Sequence, residues 1–135
     1  GADGPFLESV IERIAASESS ALDISAVMDK SLLISCDNAH AVHPNFMDKH
    51  DAGHLPSING GPVIKTNVKQ RYATNSVTSS RFKQLCDQAN VPVQQFVSRA
   101  DMGCGSTIGP ISSSRLGVAT IDVGIPQLVL TPNYF

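Results

Sequence analysis

Short apolar runs alternate along this chain with segments whose apolar residues recur every three or four positions, and no other feature of the sequence restricts the fold as much. Leu7, Val10, Ile11 and Ile14 form one helical stripe, with Glu8, Glu12 and Arg13 on the opposite face and Asp3 as the expected cap. The serines from Ser17 to Ser20 break that helix, and Ile24, Val27 and Met28 predict a second, shorter one. The run from Ser31 to Cys36 reads as a buried strand, and Pro62 to Thr66 as a short one. Ser76 to Ala89 predicts a helix that turns Val77, Phe82 and Leu85 inward, with Cys86 beside them, and stops at Asn90. A strand from Val91 to Arg99, a helix from Ile108 to Leu116 and a strand from Val118 to Val123 complete the pattern, with Gln127 to Leu130 as a further strand. Strands alternating with helices of this length predict an α/β layer architecture with a mainly parallel sheet.

The 135 residues suit one domain, and an apolar content of 41% provides a modest core. A formal charge of −2 with scattered basic residues supplies no field for a phosphate backbone, so nucleic acid is not an expected partner. Cys36, Cys86 and Cys104 form neither a CxxC pair nor an even-numbered framework, which suits reduced thiols in a cytosolic setting. No apolar run approaches the roughly 20 residues that cross a bilayer, and no signal peptide opens the chain, so a soluble, cytoplasmic protein is expected.

Between Asp37 and Gly61 the periodicity disappears among four histidines, two prolines and Asn59-Gly60-Gly61, which predicts a long loop after the first strand. Asp37, at the expected end of that strand, is placed to meet a metal ion, with His40, His43, Asp48, His50 and His54 following. An Asp that caps a turn beside solvated histidines accounts for the same residues. His50 and His54 have the four-residue spacing of a helical zinc pair, but Gly53 and Pro56 oppose a helix there. A second candidate is the glycine-rich turn Gly103 to Thr107, where Ser106 or Thr107 would cap the next helix and free amides would receive an anion or a carboxylate. It matches neither a phosphate loop nor a dinucleotide fingerprint, and ordinary turn chemistry explains it equally. Lys65 would present a cation to an acidic group, or be solvated. No Gly-x-Ser-x-Gly elbow is present, which disfavours serine catalysis.

Six blocks carry a resemblance: Ser35 to Phe46 with Asp48-Lys49-His50, Gly61-Pro62-Val63-Ile64-Lys65, Lys69-Gln70-Arg71-Tyr72-Ala73-Thr74-Asn75, Cys104 to Pro110, and Asp122 to Leu128. Together they resemble the aspartyl aminopeptidases, the M18 family of metallopeptidases, in that family's order and over nearly the whole chain. The resemblance implies a three-layer α/β/α sandwich holding two zinc ions, of which residues 1–135 would be a C-terminal, incomplete portion of the catalytic domain. It implies a dodecameric homo-oligomer that removes acidic residues from peptides with a free N-terminus. By the same resemblance Asp37 is a zinc ligand, His40 and His43 approach the substrate, Lys65 meets its acidic side chain, and Gly105 and Thr107 line the pocket.

The general base and the remaining ligands implied by the resemblance have no counterparts here. Glu8, Glu12 and Glu18 lie on or just after the first helix, the family's Glu-Glu pair would precede Gly1, and Thr131 stands where a ligand histidine is expected. The chain alone is therefore expected to be inactive, the alternatives being a non-catalytic module that oligomerises or binds a partner, and a small metal-binding protein using His40, His43, His50 and His54.

Overall fold

A computed structural model describes residues 3–17, 23–43, 53–97 and 108–128. Within them the order is α1 (Phe6–Ser17), α2 (Ile24–Lys30), β1 (Leu32–His40), β2 (Val63–Thr66), α3 (Ser76–Gln88), β3 (Gln94–Val97), α4 (Ile108–Leu116) and β4 (Ala119–Gln127). The four strands form one sheet in the order β1-β4-β2-β3. β1 and β4 run parallel in an unbroken register from Leu32↔Ala119 to His40↔Gln127, and β2 and β3 are also parallel. The two couples meet antiparallel, with Val63 opposite Gly124 and Ile64 opposite Val123. The expected mainly parallel α/β sheet is thus the fold observed.

Strand alternation divides the residues of β4 between two faces. Ile121 and Val123 join Ile64 of β2 and Phe82 and Cys86 of α3 in the core cluster, with Leu32 and Val93 packed at its margin. Thr120, Asp122 and Gly124 point to the opposite face, where α4 packs so closely that a Cβ on Gly109 would overlap the Asp122 carboxylate. Helices therefore cover both faces, in keeping with the sandwich.

Both ends of α3 are fixed by local chemistry. Asn75 accepts the Thr78 N–H (2.9 Å) while the Thr78 hydroxyl accepts the Asn75 N–H (3.1 Å), a reciprocal cap. At the other end Asn90 adopts φ 54°, and the N–H groups of Asn90 and Val91 return to Asp87 and Cys86, so the expected stop at Asn90 is observed. Asn75→Ala is expected to cost about 1 kcal/mol of stability, read as an earlier urea midpoint with an unchanged slope. An unshifted midpoint would assign the helix start to packing alone.

Several expectations are corrected. The inward row of α3 is Thr78, Ser79, Phe82 and Cys86, whereas Val77 and Leu85 are 73% and 45% exposed. Burial, and then the Asp87 carboxylate, push the Cys86 thiol above its ordinary range. No residue of α1 is fully buried, and Asp3 precedes the helix too far to cap it. Its carboxylate instead lies 3.5 Å from Arg115 of α4, which also reaches Glu8 at 3.2 Å. β1 continues to His40, so Asp37 sits inside the strand and the following segment begins at Ala41. Gln127 closes β4, so it does not open a separate strand. No helix among the described residues is long and apolar enough to cross a membrane.

Candidate active site

Asp37, Gly124 and Val63 lie side by side on three neighbouring strands, because β1 pairs with β4 at Gly124 and β4 pairs with β2 at the same residue. Lys65, two residues beyond Val63, faces the same side of the sheet. Its side chain passes over Gly124 to bring Nζ within 3.7 Å of Asp37 Oδ2. That route exists because Gly124 has no side chain, since a Cβ there would stand 2.7 Å from Lys65 Cε and 2.8 Å from the Ala39 backbone nitrogen. The Lys65 side chain is 5% exposed and that of Asp37 50%. A buried ammonium needs compensation for its lost hydration. Here the carboxylate supplies it from one side and the Tyr72 ring, 5.7 Å from Nζ, from the other.

The other Asp37 oxygen, Oδ1, accepts the Asn38 N–H at 2.7 Å. The carboxylate is thus held by its own backbone and by Lys65, yet half of it remains open to solvent.

Tyr72 is held in place through Asp122, a residue to which sequence reasoning gave no role. Asp122 is 1% exposed, and its Oδ2 accepts the Ala73 N–H at 2.7 Å. The Thr74 hydroxyl accepts the Asp122 N–H (2.9 Å) and donates to its C=O (3.4 Å), so one side chain stands in for a neighbouring strand. Together these bonds pin residues 72–75 against β4 and set the Tyr72 ring beside Lys65. An aspartate within the apolar run Thr120-Ile121-Asp122-Val123 is the signal that marks it, because carboxylates are rarely buried without a specific partner. Ser35, the register partner of Asp122, keeps a buried Oγ without a hydrogen-bond partner.

Among the described residues, no cluster of histidines gathers around Asp37. His40 ends β1 an odd number of residues later, which starts its side chain on the opposite face of the sheet. His43 lies in the segment after β1, which is tied to the next loop by the Val42 N–H bond to Pro56 C=O at 2.8 Å. His54 lines a separate cleft of about 350 Å³ with Lys83 and Gln95, to which neither Asp37 nor Lys65 contributes. His50, Gly105 and Thr107 lie outside the described residues.

Among the described residues no group of three His, Cys, Asp or Glu side chains is close enough to hold a metal ion. Asp37 fits as one oxygen donor, on a rigid strand and partly open, but its nearest ionised neighbour is the Lys65 cation. These residues fit a share of a zinc site, and the other donors of a tetrahedral shell would have to come from elsewhere.

Residues 1–131 match the family model described as Aminopeptidase I zinc metalloprotease (M18). The chain is 57% identical over 130 residues to a probable M18 family aminopeptidase 2 of Pseudomonas aeruginosa (strain UCBPP-PA14), covering 96% of this chain and 30% of the relative. A crystal structure of prApe1 is similar with a TM-score of 0.91 at 34% identity, over 96% of this chain and 28% of that one. A structure of the S. cerevisiae mApe1 dodecamer is similar with a TM-score of 0.86 at 32% identity, over 96% of this chain and 28% of that one. The chain therefore spans less than a third of the length of these relatives.

Proposed function

Because the chain belongs to the M18 family of aminopeptidases, we propose that it supplies the substrate-facing share of a dizinc aminopeptidase site selective for acidic N-terminal residues. The observation that carries this reading is the Asp37–Lys65 pair laid across Gly124. It sets a candidate metal ligand and a buried cation within one residue's reach of each other.

Asp37 would hold zinc through its carboxylate, which the Asn38 N–H steadies at Oδ1. When bound, zinc polarises a scissile carbonyl and acidifies a water. The rest of the reading concerns this chain's own groups. With the Asp37 charge engaged elsewhere, the Lys65 ammonium, 5% exposed, would lack its counter-ion, and a substrate carboxylate would restore the balance. A neutral substrate side chain leaves that cation uncompensated, which is the source of selectivity. Tyr72 keeps the ammonium aimed at this point. The free N-terminus of the peptide, its approach past His40 and His43, and a pocket wall from Gly105 and Thr107 belong to the same proposal, as does a cytoplasmic location. A homo-oligomer is part of it too, supported by the dodecameric assembly of the S. cerevisiae relative.

The 135-residue chain by itself is proposed to be inactive, since among the described residues Asp37 has no companion ligands with which to complete a zinc shell. Calorimetric titration is expected to give only the weak zinc binding of an isolated carboxylate, with no turnover of an aspartyl substrate. Tight stoichiometric binding lost in Asp37→Ala would show that the other ligands lie within these residues. The selectivity is tested in a full-length relative by placing Met at the position aligned with Lys65. kcat/KM for an aspartyl substrate is expected to fall by roughly 100-fold, the scale of one desolvated charge pair, with little change for an alanyl substrate. A parallel fall for both substrates would remove Lys65 from the recognition step.

A further inference from the structure

Asp122 is a carboxylate at 1% exposure in the middle of β4, and the recognition step proposed above does not use it. A buried carboxylate gives up its hydration, and well-packed apolar residues of similar volume often serve stability as well or better. What a carboxylate does here and an apolar side chain cannot is visible in its bonds. Oδ2 accepts the Ala73 N–H at 2.7 Å, from 49 residues away in sequence. The backbone N–H and C=O of Asp122 are both engaged by the Thr74 hydroxyl. All of these bonds converge on residues 73 and 74, the pair that immediately follows Tyr72.

The carboxylate has little freedom to move. α4 packs over it so closely that a Cβ on Gly109 would overlap Oδ1 and stand 2.6 Å from Oδ2 and Cγ. Asp122 is thus wedged between the start of α4 and the segment it holds, and a group locked by packing on a strand positions its partners more rigidly than one on a loop. What it holds bears on Lys65. The Tyr72 ring is buried and lies 5.7 Å from Lys65 Nζ. Asp122 and Gly124 are two residues apart on β4 and face the same side, the side on which Lys65 runs to Asp37. A continuous path therefore leads from Asp122 through Ala73 and Tyr72 to Lys65. The start of α3 has its own fixing, because Asn75 and Thr78 close a reciprocal cap without Asp122.

We propose that Asp122 is a positioning residue for substrate selection: it fixes the Tyr72 ring against Lys65, and so holds the ammonium at the point from which an acidic substrate side chain is told from a neutral one. The proposal rests on the reading of Lys65 given above and adds to it a residue that acts through its neighbours.

The test has two arms. In the 135-residue chain, the ε-methylene protons of Lys65 are expected to show a ring-current shift by NMR, with Tyr72→Leu as the reference that lacks the ring. Asp122→Ala is expected to abolish most of that shift, Thr74→Val to reduce it, and Asp122→Asn, which keeps an acceptor, to retain most of it. Asn75→Ala, which loosens the start of α3 without touching these bonds, is expected to leave it in place. In the full-length Pseudomonas aeruginosa relative the same changes are made at the aligned positions, and kcat/KM is compared for aspartyl and alanyl substrates. The ratio of the two is expected to fall by about ten-fold for Asp122→Ala, since misplacing a positioned group by about an ångström costs up to roughly 100-fold. Asp122→Asn is expected to restore it to within about three-fold of the parent.

An unchanged shift or an unchanged ratio in Asp122→Ala, or an equal loss in Asn75→Ala, would overturn the proposal and reduce Asp122 to a structural anchor. Should Asp122→Ala fail to fold, Thr74→Val decides by the same two readouts. Lys65→Met at its aligned position reports on the recognition reading by itself. Selectivity lost there but kept in Asp122→Ala overturns this proposal alone, whereas selectivity kept in both overturns the recognition reading and this proposal with it.

Discussion

Gly124→Val is expected to destabilise the chain by about 3 kcal/mol, at the upper end of overpacking costs, and to lower the melting temperature by about 10 °C. The new Cβ would stand 2.7 Å from the Ala39 Cβ and from Lys65 Cε, and 2.8 Å from the Ala39 backbone nitrogen. Lys65 is flexible and can move aside, but Ala39 is held in the β1–β4 ladder opposite Pro126. Relief therefore requires the two strands to separate or Lys65 to abandon its path to Asp37. A buried ammonium deprived of its counter-charge is costly in its own right. Gly124→Ala should show the same effect at smaller size, because it adds the Cβ without the branches. A valine variant melting within about 2 °C of the parent would mean that Lys65 has another low-cost route, and the account of the pair would fail.

The second large effect is expected at Asp122. Asp122→Ala removes the acceptor of the Ala73 N–H in a site where the aspartate is 1% exposed. The cost combines an orphaned buried donor, about 1–3 kcal/mol, with the loss of a charge-assisted bond of similar size, for a total of about 3 kcal/mol or more. Asp122→Asn retains an acceptor and should cost about 1 kcal/mol. Hydrogen exchange separates this from general loosening: the Ala73 amide should accelerate far more than amides in the middle of α3. Equal acceleration everywhere would reduce Asp122 to an ordinary core residue and remove its role in setting Tyr72 beside Lys65.

The elements were legible because each leaves a mark on side-chain order. Phe6 to Ser17 and Ile108 to Leu116 are helices close to where the spacing puts them, and Asn90 stops α3 as its tolerance of positive φ suggests. Misreadings arose where backbone pairing or a distant residue decides. Asp37-Asn38-Ala39-His40 has no apolar alternation and read as loop, but β4 supplies a partner at every position up to Gln127. Val77 and Leu85 were read as inward for their apolar character, although Thr78, Phe82 and Cys86, at four-residue intervals, make the continuous row. The burial of Lys65 was illegible from its neighbours, since the space it fills is left by a glycine distant in sequence, at position 124 on the adjacent strand. Within the candidate site, the resemblance pointed to Asp37 and Lys65, and the reason they lie together emerges only from the three-strand row.

The pairing of Leu32 with Ala119 also governs the order in which this sheet can assemble. β2, α3 and β3 lie close in sequence and can collapse together as a right-handed crossover soon after they are synthesised. β1 precedes these three, yet its parallel partner is β4, the last of the described strands. Until β4 arrives, the side of β1 that pairs with it remains unbonded, and closing so long a loop makes this a slow contact to form. The strand that carries Asp37 is therefore made well before the partner that secures it, and in that interval its unpaired backbone is open to misassembly.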